Sequence, residues 1–103
     1  MHPIVEQHRH AVAELCKRHR VARLDLFGSA AEGEFDEAHS DFDFIVEFAA
    51  DLPPGQRFDA YFGLREDLEG LFGRTIDLVE PGGLRNPYFI RSANQTRKQV
   101  YAA

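Results

Sequence analysis

Hydrophobic positions change their period several times along this chain, and each change marks an element. From Pro3 to about Arg20, Ile4, Ala11, Val12, Leu15 and Cys16 follow helical spacing and Pro3 suits a first turn, so an amphipathic helix covering one face of a sheet is predicted. "VARLDLF", Val21–Phe27, sets Val21, Leu24 and Leu26 against Arg23 and Asp25 and reads as a strand. Gly28-Ser29 breaks it, and "AAEGEF" has room for only a turn or two of helix before the loop "DEAHS". Asp41–Phe48 alternates again, with Phe42, Phe44, Val46 and Phe48 on one face and Asp41, Asp43, Ile45 and Glu47 on the other.

"DLPPGQ" reads as a linker, because Pro-Pro-Gly propagates neither regular structure. A second helix is predicted from about Arg57 to Phe72, where Phe58, Tyr61, Phe62, Leu68, Leu71 and Phe72 follow helical spacing and Gly73 supplies the stop. These aromatic residues are read as core or partner-facing. "RTIDLVE" is a third strand, with Ile76 and Leu78 on one face and Asp77 and Val79 on the other. After the turn "PGG", a short helix is expected from about Asn86 to Ser92, with "KQVYAA" available to run along a sheet edge. Arg91, Arg97 and Lys98 in this tail are read as a solvated terminus, with docking to an acidic partner or product as the alternative.

The acids break the apolar pattern where chemistry would need them. Carboxylates are disfavoured in strands and costly to bury unless paired or bound to a cation. Asp41 and Asp43 lie about 6.6 Å apart along a strand and point the same way, so they can converge on one pair of divalent ions. Two closely spaced ions are a usual device for in-line phosphoryl or nucleotidyl transfer. Oxygen ligands favour Mg2+, with Mn2+ possible. Asp77 joins them if the third strand lies beside the second, and it could also accept the proton of the attacking hydroxyl. Gly28 allows close backbone approach, while Ser29 offers a hydroxyl and an amide at a helix start, a combination that favours a phosphate. Glu47, about 13 Å from Asp43 along the strand, is read as solvated.

Composition narrows the partners. A chain of 103 residues is expected to form one domain, residues 1–103. Twelve Lys and Arg against 17 Asp and Glu give a formal net charge of -5, which argues against direct nucleic-acid binding and means that a polyanionic ligand needs metal ions. No apolar run reaches membrane length, no signal-peptide core is present, and Cys16 is the sole cysteine, so a cytoplasmic location is expected. The histidines have no closed zinc-site spacing and are read as structural or surface residues.

Gly28-Ser29, an 11-residue spacer, Asp41-x-Asp43, then Asp77 34 residues further on, form a specific combination. "LFGSAAEGEFDEAHSDFDFIVEF" resembles the signature of the polymerase-beta-like nucleotidyltransferases, in particular the minimal nucleotidyltransferase (MNT) domains, and the resemblance continues through "FGLREDLEGLFGRTIDLVE" to "NPYFIRSANQTRKQVYAA". It implies an α/β (α+β) fold with a small mixed sheet of three to four strands backed by helices. It also implies two Mg2+ ions held by Asp41, Asp43 and Asp77, and an NTP, ATP first, with its phosphates near Gly28 and Ser29. Many such domains are antitoxins that transfer AMP to a HEPN-domain toxin, which makes that toxin the expected acceptor and a hetero-oligomer the expected assembly. Ala30 and Glu32 stand where many relatives carry Arg, which motivates a second reading as an antitoxin-like module that neutralises its partner by complex formation. Transfer to a small molecule such as an aminoglycoside is a third reading, disfavoured because no acceptor-binding domain is present.

Overall fold

The computed structural model describes residues 2–28, 31, 41–83 and 87–103. Helices α1 (Pro3–Gln7) and α2 (Arg9–Arg18) precede strands β1 (Val21–Phe27) and β2 (Phe42–Phe48). Helix α3 (Pro54–Phe72) leads to β3 (Ile76–Val79), and a 3-10 turn at Pro81–Gly83 precedes α4 (Pro87–Thr96) and β4 (Lys98–Ala102). The strands form a four-stranded mixed sheet in the order β3-β2-β1-β4. β1 is antiparallel to both β2 and β4, whereas β2 and β3, joined through α3, run parallel. The architecture is the mixed, helix-backed sheet that the family resemblance implies.

Strand alternation divides the side chains between two layers. Leu24 and Leu26 of β1, Phe42, Phe44 and Val46 of β2, and Ile76 and Leu78 of β3 enter the main core with Val5, Val12, Cys16, Leu64 and Leu68 from the helices. Burial of each large side chain contributes about 1.5–3 kcal/mol. The opposite face carries a smaller cluster of Phe27, Ile45 and Ala93, with Val79 packed against it, and here α4 lies on the sheet. Burial by α4 makes Ile45 apolar in a row that is otherwise acidic.

Three boundaries differ from the sequence reading. The first helix is interrupted at His8, whose imidazole Nδ1 donates to the Ile4 carbonyl at 2.7 Å while its amide bonds both Ile4 and Val5 carbonyls. A side chain competing for a ladder carbonyl bends a helix. Helix α3 starts at Pro54, three residues before the expected Arg57. Pro54 occupies the first turn, where its missing N–H removes one of the amides that would otherwise lack a partner. Gly73 ends α3 as expected, in the left-handed region at φ 66°, with its amide on the Glu69 carbonyl at 2.8 Å. Helix α4 runs on to Thr96, beyond the expected Ser92, and "KQVYA" forms the edge strand β4.

The tail also needs correction. Arg97 is not part of a solvated terminus: its Nε and Nη2 both lie 2.6 Å from Asp25 Oδ2. Asp25 is 0% exposed and also accepts from Arg23 Nε at 3.0 Å. Its place on an inner strand beneath α4 buries a carboxylate that alternation alone assigned to a polar face.

Of the helix-three aromatics, Tyr61 and Phe72 pack against the main core, and the Tyr61 hydroxyl donates to the Leu78 carbonyl. Phe58 and Phe62 are 70% and 44% exposed, with ring centroids 4.6 Å apart. No helix among the described residues is long and apolar enough to cross a membrane.

Candidate active site

Strand register assembles the acidic site. Antiparallel pairing sets Phe27 opposite Asp43, which brings the following Gly28 turn alongside that carboxylate. Parallel pairing sets Asp43 opposite Asp77. Partner residues on adjacent strands sit about 4.8 Å apart and share a face, so two carboxylates separated by 33 intervening residues become neighbours. Asp41 lies at the entrance to β2, exposed, one alternation step before Asp43.

The proximity has an electrostatic signature. Asp43 is half-buried, and its pKa is pushed from 3.8 up to about 6 by burial first, then by the charges of Asp77 and Asp41 and by a hydrogen bond with Asp77. All four influences favour the protonated form, because like charges and a drier environment both penalise the carboxylate. The end of the sheet is thus a concentration of negative charge. A divalent cation bound by oxygen ligands would relieve it, and the hard donors of Asp41, Asp43 and Asp77 suit Mg2+ or Mn2+. Among the described residues, no three His, Cys, Asp or Glu side chains already stand in closed ligating geometry. The fit to a metal therefore rests on donor chemistry and on the charge concentrated around Asp43.

Gly28 is constrained twice. Its φ of +74° lies in the left-handed region, and a Cβ at this position would meet Asp43 Oδ2 at 2.9 Å. Its amide donates to Thr96 Oγ1 at 3.0 Å, and its carbonyl accepts from the Ala31 amide at 3.1 Å, closing the turn that follows β1. Ser29, the residues of the expected turn Ala30–Phe35 other than Ala31, the loop Asp36–Ser40, and Arg85 and Asn86 lie outside the described residues. Glu47 is exposed toward the other end of β2, where it lines a cavity of about 330 Å³ with Phe48, Arg57 and Glu80.

Thr96 escaped the sequence reading. It belongs to a stretch rich in polar residues, and its signal is tertiary: a buried hydroxyl at the end of α4, 68 residues from its partner Gly28.

The mixed sheet thus carries two strand-borne carboxylates in register, with a glycine turn packed on one of them. A family model described as "Nucleotidyltransferase domain" matches residues 8–100, and the chain belongs to that family. The Methanocaldococcus jannaschii protein named "Putative protein adenylyltransferase MJ1379" is 37% identical over 78 residues, covering 76% of this chain and 75% of that protein. A solved structure described as a "putative minimal nucleotidyltransferase" is 32% identical, with a TM-score of 0.65 over 90% of this chain and 89% of its own. The fold is also similar, at a TM-score of 0.63 and 18% identity, to a chain in the structure of tri-AMPylated Shewanella oneidensis HEPN toxin in complex with MNT antitoxin. That match covers 96% of this chain and 73% of the other.

Proposed function

We propose that this chain is a metal-dependent minimal nucleotidyltransferase, residues 1–103 acting as one catalytic domain, that moves an NMP, AMP from ATP first, onto a hydroxyl of a partner protein. A HEPN-domain toxin is the proposed acceptor, which makes this chain the antitoxin of the pair. The observation that carries the reading is the in-register pair Asp43 and Asp77 with the Gly28 turn packed against Asp43. Support for adenylate and for a protein acceptor comes from the name of the M. jannaschii relative and from the AMPylated toxin bound to the similar antitoxin.

In this reading Asp41, Asp43 and Asp77 would hold two Mg2+ ions, which would neutralise charge on the triphosphate and acidify the acceptor hydroxyl. The Gly28 turn and Ser29 hold the phosphates against the acids, and close approach requires the missing Cβ of Gly28. The acceptor oxygen bonds to the α-phosphorus, the bond from that phosphorus to the bridging oxygen breaks, and pyrophosphate leaves. The hydroxyl proton passes to the Asp77 carboxylate.

The test is the intact mass of a candidate HEPN-domain partner after incubation with Mg-ATP and either wild-type chain or the Asp41→Asn, Asp43→Asn double variant. Mass gained in AMP steps with wild type alone is the expected result. A stable complex that neutralises the partner without mass gain would overturn catalysis and leave a binding module.

A further inference from the structure

Asp25, Arg97 and Thr96 are buried or engaged polar residues that the proposed chemistry does not use, and they lie in one line of contacts that ends at Asp43. We propose that Thr96 is a positioning residue of the transfer site: its hydroxyl holds the amide of Gly28 and so sets the glycine turn against Asp43. The inference rests on the nucleotidyltransferase reading above and adds a residue of α4 to it.

The hydrogen-bond arithmetic defines the role. A threonine hydroxyl has one proton and two lone pairs. Thr96 Oγ1 accepts from the Gly28 amide at 3.0 Å with one of its lone pairs, and it also lies 3.4 Å from the Ala93 carbonyl. The Gly28 amide is therefore occupied by the protein. Removing the hydroxyl would leave that amide without this acceptor in a part-buried place, which favours rearrangement of the turn.

The residue next to Thr96 fastens the same junction. Arg97 reaches Asp25 Oδ2 with two nitrogens at 2.6 Å, and its Nη1 donates to Asn94 Oδ1 at 3.2 Å. Asp25 and Gly28 are both at the end of β1, so consecutive residues Thr96 and Arg97 clamp the α4–β4 junction to that strand at two points. Gly28 is held from the α4 side by Thr96, and on its other side Asp43 Oδ2 lies 2.9 Å from where a Gly28 Cβ would stand. Displacement of a positioning element by about 1 Å can cost about a hundredfold in rate.

The experiment compares Thr96→Val, which keeps the shape and loses the acceptor, with Thr96→Ser, which keeps the hydroxyl. Three readouts are taken on the full chain well below its Tm: AMP transfer to the partner, Mg2+-dependent binding of a non-hydrolysable ATP analogue, and exchange protection of the Gly28 amide by NMR. Thr96→Val is expected to lower kcat/KM at least tenfold and to lose Gly28 protection, while Thr96→Ser stays within about threefold of wild type. A purely structural role would lower Tm in the Val variant without separating Val from Ser in turnover, and that result overturns the inference while leaving the transferase reading intact. If wild type binds the analogue but transfers nothing, the acceptor reading fails, and the inference stands only if Thr96→Val weakens binding at least tenfold and Thr96→Ser does not. A wild-type chain that neither transfers nor binds overturns both.

Discussion

Replacing Asp43 by Asn should make the metal-free protein more stable while removing its transfer activity. The Asp43 carboxyl is raised from 3.8 to about 6 in the folded chain, and Asn has nearly the same shape without the charge. Below about pH 4 the aspartate is protonated in both folded and unfolded chains, and the folded state suffers no charge penalty. Between pH 4 and 6 the folded chain keeps a proton that the unfolded chain releases, so stability falls as pH rises, and above pH 6 the penalty is fully developed. Converted directly, the rise corresponds to about 3 kcal/mol. Asp43 is only half-buried, and solvent screening reduces the figure to about 1–1.5 kcal/mol. For a chain of this size that is a gain of about 5–10 °C in Tm. Urea unfolding of both proteins in EDTA at pH 4, 6 and 7.5 measures it, because contributions common to the two chains cancel in the difference. The argument fails if the Asn variant is no more stable than wild type at pH 7.5, or if its advantage is the same at pH 4. Added Mg2+ should narrow the gap by stabilising wild type selectively.

Gly28→Ala forces a Cβ onto a left-handed backbone at 2.9 Å from Asp43 Oδ2, and should lower stability by about 1–2 kcal/mol in urea unfolding and depress transfer. Arg97→Met leaves the fully buried Asp25 with Arg23 alone and should destabilise the chain by about 2–4 kcal/mol, read from the urea midpoint. Burial pushes the Cys16 thiol up to about 12, so it should resist alkylation by iodoacetamide at pH 8 in the native chain and react promptly in denaturant.

Local pattern determined much of this protein. Alternation in "DFDFIVEF" separates Phe42, Phe44 and Val46 from Asp43, Ile45 and Glu47, and the folded sheet keeps that division. Gly73 ends α3 and Gly28 ends β1, both with positive φ, because a residue without Cβ is favoured there wherever the segments later dock. The spacing of Gly28, Asp41, Asp43 and Asp77 marks candidate site residues for the same reason: each sits at a turn or on a strand face defined by its immediate neighbours.

Tertiary structure decided which of these residues meet. Nothing within a few positions of Asp77 specifies that it faces Asp43; that register follows from the parallel docking of β3 on β2 after α3 has crossed the sheet. Asp25 looks like any polar strand residue until β1 becomes an inner strand with α4 above it and Arg97 beside it. Thr96 acquires its place beside Gly28 only when the end of α4 reaches the end of β1. Periodicity and turn preference are set by side chains within one helical turn or two strand steps, whereas strand order, register and the partners of buried polar groups are set by how distant segments share one core. The acids were therefore visible as candidates along the chain, and their coupling, with the clamp that holds the glycine turn beside them, was created by packing.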